Sequence, residues 1–376
     1  MPDSKNNGLK VALVHDHLVQ DGGAERVLRS LMRVYPDAPI YTLLYDPRKM
    51  GPDFAGKDIR TSVFQRIPLL RRHYKFLLTW IDWAFRRFNF SKYDLVVSSA
   101  SGWAKGVRTG SGTLHVCYCH TPIRYIWSQG ETYIAETGYP APLKAVFRVM
   151  RPWFKRKDLR AAAGVDDYVA NSGYVAERIK KYYGRESTVI YPPVDTSQFD
   201  PSANRDDYFL VATRLEPYKR VELVIEAFNQ LRLPLKIMGS GTDESRLKKL
   251  AGPTVEFTGR VSDAERKELF GRAQAFLNPQ EEDFGITAVE ALASGTPVIA
   301  YGKGGAAEIL TAGTGILFSE QTAAAISQAV TSFDRSQFDS AVLRRRAEDF
   351  SAERFERELS GHIERVYRRR VTEVSG

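Results

Sequence analysis

Along the first half of the chain, short runs of apolar residues alternate with longer stretches in which apolar side chains return every three or four positions. The runs at 10–14, 40–44, 95–98, 114–118, 165–170 and 189–191 read as strands, and the stretches at 24–35 and 174–183 as helices. Most of the runs lack the every-second-residue alternation of a sheet with one wet face, so they are predicted to be buried on both sides, as parallel strands are. After Tyr191-Pro192-Pro193-Val194-Asp195-Thr196-Ser197-Gln198-Phe199-Asp200-Pro201 the rhythm begins again. Strands are predicted at 208–212, 235–238, 255–257, 275–277, 297–300 and 315–318, with helices such as 220–231, 263–272 and 288–294 between them.

This repetition predicts an α/β chain of two doubly wound, Rossmann-like domains over 1–190 and 191–351, joined by a proline-restrained linker. Two such sheets are expected to face each other across a cleft at the carboxyl ends of their strands, where open α/β sheets bind ligands. A last helix over 352–370 has no strand after it, and the segment 352–376 is expected to pack back on the first domain. A chain of 376 residues that is 43% hydrophobic suits two cores better than one, and no low-complexity tract interrupts it.

Charge divides the halves further. Residues 1–190 carry 30 Lys and Arg against 17 Asp and Glu, whereas residues 191–376 carry 24 against 28. An anionic surface or acceptor is therefore expected on the side of the first domain. The polar start, Met1 to Gly8, precedes a strand of only a few residues and holds no secretory core; the closest approach to a bilayer span, 76–85, is cut by Asp82. The protein is expected in the cytoplasm. Cys117 and Cys119 flank Tyr118 on a strand and are read as two small buried side chains on one face in a reducing compartment, not as a metal or redox site.

The sharpest chemical signal is Glu281-Glu282-Asp283-Phe284-Gly285-Ile286-Thr287-Ala288-Val289-Glu290, followed at Gly295 by the turn into a strand. Gly285 lets the backbone approach a ligand, and Ile286 opens a helix whose first amides and dipole favour a phosphate. Glu282 and Glu290 are carboxylates able to accept from sugar or ribose hydroxyls, although a glutamate near a helix start is also stabilising by itself. Arg214 and Lys219, in Thr213-Arg214-Leu215-Glu216-Pro217-Tyr218-Lys219, follow an apolar strand and suit a diphosphate; solvated loop cations are the plainer alternative. Gly22-Gly23, Gly239-Ser240-Gly241 and Gly304-Gly305 each place a glycine turn at the mouth of a sheet. His120, directly after a strand, is placed to meet a sugar hydroxyl or a leaving group, or else is a satisfied structural histidine. His15 and His17 flank Asp16 without a further ligand cluster, so no metal site is assigned there.

Taken together, Gly22-Gly23, His120, Asn171-Ser172, the 191–195 linker, Arg214 with Lys219, the pair Glu282 and Glu290, and Gly304-Gly305 with Glu308 resemble the retaining nucleotide-sugar glycosyltransferases of family 4, which have the GT-B fold. The resemblance implies a donor diphosphate on Arg214 and Lys219, ribose hydroxyls on Glu290, and the transferred sugar on Glu282, His120 and the backbone of Phe284, Gly285, Ile286 and Thr287. Many members carry Gly where Thr213 stands, a departure from the pattern next to Arg214. His120-Thr121-Pro122-Ile123-Arg124-Tyr125-Ile126-Trp127 and Pro217-Tyr218-Lys219-Arg220 look most like bacterial mannosyltransferases of O-antigen or exopolysaccharide synthesis, implying GDP-mannose as donor substrate. The family is similar in needing no divalent metal or other cofactor, and no Asp-x-Asp occurs in the chain. The implied reaction is a front-face displacement with retention, Glu282 being the alternative for a covalent role.

Seven Lys or Arg and one acid, Asp82, lie between Arg66 and Lys92, where Leu70, Tyr74, Leu77, Ile81, Ala84 and Phe88 recur at helical spacing beside Trp80 and Trp83. The segment reads either as an interfacial helix on anionic lipid, presenting a polyprenyl-diphosphate-linked saccharide acceptor, or as a core helix with a solvated basic side. Residues 148–160, with Trp153 and Phe154, repeat the theme and favour the membrane, making the protein peripheral on the inner face of the cytoplasmic membrane. Rival readings are a non-hydrolysing sugar-nucleotide epimerase of the same architecture and a nucleic-acid-binding protein. The first needs no basic face, and for the second no recognised motif is present.

Overall fold

The computed structural model describes residues 8–68, 78–128, 141–202 and 204–375. The chain forms two compact units, Met1–Tyr191 with Phe355–Gly376, and Pro192–Arg354.

In the first unit the elements run β1 (Val11–His15), α1 (Gly23–Val34), β2 (Ile40–Thr42), β3 (Ile59–Thr61), α2 (Leu78–Arg86), β4 (Leu95–Ala100), β5 (Leu114–Cys119), α3 (Ala141–Ala163), β6 (Asp167–Ala170), α4 (Gly173–Tyr183) and β7 (Thr188–Val189). The strands form one sheet in the order β3-β2-β1-β4-β5-β6-β7, every pair parallel. Side chains of alternate strand positions fill separate cores on its two faces: Leu13, Val97 and Tyr118 on one, Val14, Val96, Cys117 and Cys119 on the other. Burial on both faces is why these strands read as unbroken apolar runs. The cysteines are free and buried, with Tyr118 in the opposite core, as strand alternation predicts.

The second unit continues with β8 (Phe209–Ala212), α5 (Val221–Leu231), β9 (Leu235–Met238), α6 (Glu244–Leu250), β10 (Val255–Gly259), α7 (Asp263–Arg272), β11 (Phe276–Asn278), α8 (Ile286–Ala293), β12 (Val298–Tyr301), α9 (Ala306–Ile309), β13 (Gly315–Phe318), α10 (Ala323–Thr331) and α11 (Ser340–Glu348). Its sheet, again all parallel, has the order β10-β9-β8-β11-β12-β13. The chain closes with α12 (Ala352–Ser375), whose Phe355, Leu359 and Ile363 recur one turn apart and enter the α1-side core of the first unit. Phe355 meets the Tyr118 ring edge-on at 5.5 Å, and His362 Nε2 lies 2.6 Å from Asp167 Oδ1.

Three local departures from the sequence pattern have plain causes. Strand β3 was not anticipated, because Ile59-Arg60-Thr61 is a half-buried edge strand without an apolar run. The seventh strand lies at Thr188–Val189 and not at 189–191, since Pro192 and Pro193 have no N–H to continue a ladder and bias Tyr191. Helix α5 starts at Val221, because Arg220 holds a left-handed φ of 56° that no α-helix admits.

Candidate active site

In the second unit four loops leave the carboxyl ends of neighbouring strands, and they carry the residues picked out in the sequence. Arg214 and Lys219 follow β8, Gly239 and Gly241 follow β9, Glu282 to Gly285 follow β11, and Gly304 and Gly305 follow β12. Strand order brings these loops together: β8 lies between β9 and β11, and β11 lies beside β12.

The contacts are close. Lys219 Nζ lies 2.5 Å from Glu282 Oε1, and Gln280 Nε2 donates to the same oxygen at 2.8 Å. Arg214, exposed, donates to the Tyr218 hydroxyl at 3.1 Å. Gly304 bridges Glu282 backbone to backbone, and Gly305 N–H donates to the Glu282 carbonyl at 2.9 Å. A Cβ at Gly304 would stand 2.2 Å from that carbonyl oxygen, and one at Gly305 2.3 Å from Phe284 Cα, so only glycine permits the approach. Cβ atoms at Gly239 and Gly241 would similarly strike the carbonyls of Thr213 and Leu215.

Helix α8 begins as the sequence pattern predicts. Gly285 is left-handed at φ 111°, and no described side chain caps the helix, so the amides of Ile286 and Thr287 head it at the Glu282 loop. Phe284 is buried and packs on Phe350 at 5.5 Å. Glu290 is buried within α8 and its carboxylate is paired with Arg266 of α7, a partner that sequence reasoning missed. A half-buried arginine in a helix rich in charged residues gave no signal of its own. It gives a buried carboxylate an opposite charge, without which burial would be costly.

In the first unit, Gly23 opens α1 and Gly22 caps it in an extended conformation any residue adopts. An added Cβ at Gly22 would sit 3.3 Å from Glu25 Oε2, the oxygen that accepts from Gly22 N–H at 2.9 Å. His120 follows β5, its Nε2 lying 2.8 Å from Ser99 Oγ and its ring edge-on to Tyr118 at 5.3 Å. His15, at the end of β1, places Nδ1 3.1 Å from the same hydroxyl and Nε2 3.4 Å from Glu25 Oε1. Burial, the largest single influence, would raise the Glu25 carboxyl, but the hydrogen bond to His15, the charge of the neighbouring histidines and a backbone N–H together hold the group below its ordinary value. Burial pushes His17 below its ordinary value. Asp16 takes the backbone N–H groups of Ser101, Gly102 and Ala104 at 2.7 to 2.8 Å, fixing the loop after β4. Ser172 caps α4 through Val175 N–H at 3.1 Å and donates to Asn171 at 3.0 Å. Among the described residues no group of three or more His, Cys, Asp or Glu side chains is placed to hold a metal ion.

The basic aromatic segments are visible in part, since residues 69–77, with Leu70, Tyr74 and Leu77, lie outside the described residues. Helix α2 buries Ile81, Ala84 and Phe85, yet Trp80, Trp83 and, on α3, Trp153 and Val149 are 57%, 41%, 41% and 81% exposed. Lys157 of α3 donates to the Thr79 carbonyl at 2.9 Å and pairs with Asp82 at 3.6 Å, which sets the two helices side by side. Arg87 lies over Trp83 at 5.1 Å and Lys157 over Trp153 at 4.5 Å. Among the described residues no helix is long and apolar enough to cross a membrane.

Two family models match consecutive parts of the chain: Glycosyltransferase Family 4 over residues 21–198 and Glycosyl transferases group 1 over residues 195–350. Mannosylfructose-phosphate synthase of Agrobacterium fabrum is 26% identical over 75% of this chain and 70% of its own length. A GDP-mannose-dependent alpha-(1-6)-phosphatidylinositol dimannoside mannosyltransferase of Mycobacterium tuberculosis is 32% identical over 52% of this chain and 56% of its own length, so the match spans little more than half of that protein. In fold, the chain is similar to Anabaena HepE, solved with UDP and glucose, with a TM-score of 0.68 and 18% identity over 95% of this chain and 99% of that one.

Proposed function

Because this chain belongs to the glycosyltransferases, with the two parallel-sheet domains of the GT-B fold, we propose that it is a retaining hexosyltransferase. Its donor is a nucleotide-sugar, GDP-mannose, and its acceptor a lipid-linked or oligosaccharide chain of bacterial surface polysaccharide. The observation that carries this reading is the Lys219–Glu282 contact at the mouth of α8. One ammonium, one carboxylate and a helix N-terminus held by Gly304 and Gly305 give a diphosphate, its sugar and its charge a place each. GDP-mannose is supported by the printed name of the mycobacterial relative, and a nucleotide-sugar in general by the UDP and glucose bound to HepE.

Lys219 has three N–H donors, one of them on Glu282, so it can bridge the sugar-facing carboxylate and a donor phosphate. Arg214 adds a second cation as the leaving group gains charge. The backbone of Phe284, Gly285, Ile286 and Thr287 offers its amides, and Glu290, paired with Arg266, accepts from ribose hydroxyls. Glu282 takes hydroxyls of the transferred sugar, and in the first unit Gly22, Gly23 and His120 serve the saccharide. The acceptor oxygen bonds to the anomeric carbon on the face from which the diphosphate leaves. The carbon–oxygen bond to phosphate breaks with its electron pair, and a phosphate oxygen takes the acceptor's proton. No metal or other cofactor enters this scheme. The exposed tryptophans with Arg87 and Lys157 suit the inner, anionic face of the cytoplasmic membrane, where a polyprenyl-diphosphate-linked acceptor would be met.

The test is slow nucleotide release, without added metal, from UDP-glucose, UDP-N-acetylglucosamine, GDP-mannose and GDP-fucose supplied separately. GDP release from GDP-mannose alone, lost in Lys219→Ala and Glu282→Ala, is expected. Release from a UDP-sugar instead would overturn the donor, and equal release from wild type and variants would overturn the site.

A further inference from the structure

Strand order in the first unit places β4 between β1 and β5, and so sets Ser99 between two imidazoles that are distant in sequence. His15 and Ser99 are register partners across the β1–β4 pair. From α1 inward the contacts form one line. Gly22 N–H donates to Glu25 Oε2 at 2.9 Å, and Glu25 Oε1 lies 3.4 Å from His15 Nε2. His15 Nδ1 lies 3.1 Å from Ser99 Oγ, and Ser99 Oγ 2.8 Å from His120 Nε2. Glu25, His15 and Ser99 are buried, and His120 is half-buried at the loop that ends the line.

We propose that Glu25, His15 and Ser99 are positioning residues that fix the tautomer of His120, placing its proton on Nε2 and making Nδ1 its basic nitrogen. This inference rests on the saccharide-facing role given to His120 above. A carboxylate only accepts, so His15 must turn a protonated Nε2 towards Glu25. In a neutral imidazole one nitrogen donates and the other accepts. His15 Nδ1 then holds a lone pair and accepts the Ser99 hydroxyl proton. The Ser99 oxygen, its proton committed, accepts from His120 Nε2–H. His120 is thereby an acceptor at Nδ1, suited to orient a saccharide hydroxyl, and not a donor at that atom.

Gly22 makes the line testable. Its N–H needs an acceptor, so Glu25→Gln must turn its amide oxygen to Gly22 and its NH2 to His15 Nε2. Every hydrogen bond beyond it then reverses: His15 is protonated on Nδ1, Ser99 donates to His120 Nε2, and His120 carries its proton on Nδ1. The measurement is the long-range proton–nitrogen NMR spectrum of the full chain labelled with 15N-histidine, with His120 assigned by the signals lost in His120→Gln.

Wild type is expected to show a protonated Nε2 at His120 and Glu25→Gln a protonated Nδ1. A protonated Nδ1 in wild type, or a His120 spectrum unchanged in a folded Glu25→Gln, would overturn the proposal. Should Glu25→Gln not fold, Ser99→Ala cuts the same line and is expected to leave His120 with both tautomers; a spectrum like that of wild type would again overturn it. In the donor assay, Glu25→Gln is expected to lower kcat at least about tenfold while the donor KM changes less than about threefold, as loss of a tautomer-setting partner does. A reversed tautomer with unchanged kcat would leave the relay standing and overturn the saccharide-facing role of His120.

Discussion

Lys219 and Glu282 stand 63 residues apart in the sequence and meet through a 2.5 Å contact between Nζ and Oε1. They leave adjacent parallel strands, β8 and β11, at the same end, so the pairing follows from strand order and not from proximity along the chain. With side chains 13% and 17% exposed, the pair stands at the rim of the unit, where water still reaches it. Lys219→Ala and Glu282→Ala are each expected to lower donor kcat/KM by about 10²–10³-fold, as removal of a charge-stabilising group does. The double variant is expected to be little worse than either, because the two act as a unit. Stability should fall by only about 1 kcal/mol in urea unfolding, since a partly wet pair contributes little. Fully additive losses in kcat/KM would mean that the residues serve separate steps.

Gly304→Ala is expected to destabilise the second unit by about 2–4 kcal/mol and to reduce activity with it. The residue holds φ at 78°, and an added Cβ would lie 2.2 Å from the Glu282 carbonyl oxygen. Gly259→Ala is the control, because Gly259 also has a positive φ, 68°, but nothing within 4 Å of an added Cβ. Its cost should stay near 1 kcal/mol, the backbone contribution alone. Equal urea midpoints for the two variants would show that the approach to Glu282 is not tight.

Burial lowers His115 to about 4 from its ordinary 6.5. Its ring meets Ser98 Oγ at 2.8 Å and the Gly164 carbonyl at 3.4 Å, contacts that a neutral imidazole satisfies. Between these two values the unfolded chain binds a proton that the folded chain does not, so stability rises with pH across this window and is lost on acidification through it. The contribution amounts to about 3 kcal/mol at full extent. Unfolding free energies measured from pH 4 to 7 should flatten in His115→Gln; an unchanged slope would assign the acid sensitivity elsewhere.

The exposed tryptophans give a separate test of membrane attachment. Trp80→Ala, Trp83→Ala and Trp153→Ala combined should weaken co-sedimentation with phosphatidylglycerol vesicles at least about tenfold, while urea stability and turnover of a soluble donor are kept. Binding of wild type should also fall between 0.05 and 0.5 M salt, as a basic face requires. Wild type that ignores anionic vesicles at low salt would remove the membrane from the proposed function.

How much of this was legible beforehand follows from which forces are local. Two parallel sheets could be read because strands covered on both faces must be apolar throughout, and the prolines at 192 and 193 mark the break between them. Gly285 and Ile286 announced a helix start, because a left-handed glycine and the first turn of a helix are written in adjacent residues. The edge strand Ile59–Thr61 could not be read, since one half-buried strand of three residues has no apolar period to show.

Pairings across the sheet were decided by tertiary structure alone. That a histidine follows the strand ending at Cys119 is written in the sequence. That Ser99 lies between His120 and His15, and that Glu25 closes the line, depends on β4 inserting between β1 and β5. Arg266 meets Glu290 only because α7 and α8 pack together around β11. The sequence by itself determined where the strands end and which residue types follow them, because backbone periodicity is local. Which of those ends are neighbours is settled by the order in which buried parallel strands pair, a choice among long-range contacts that no short window of residues contains.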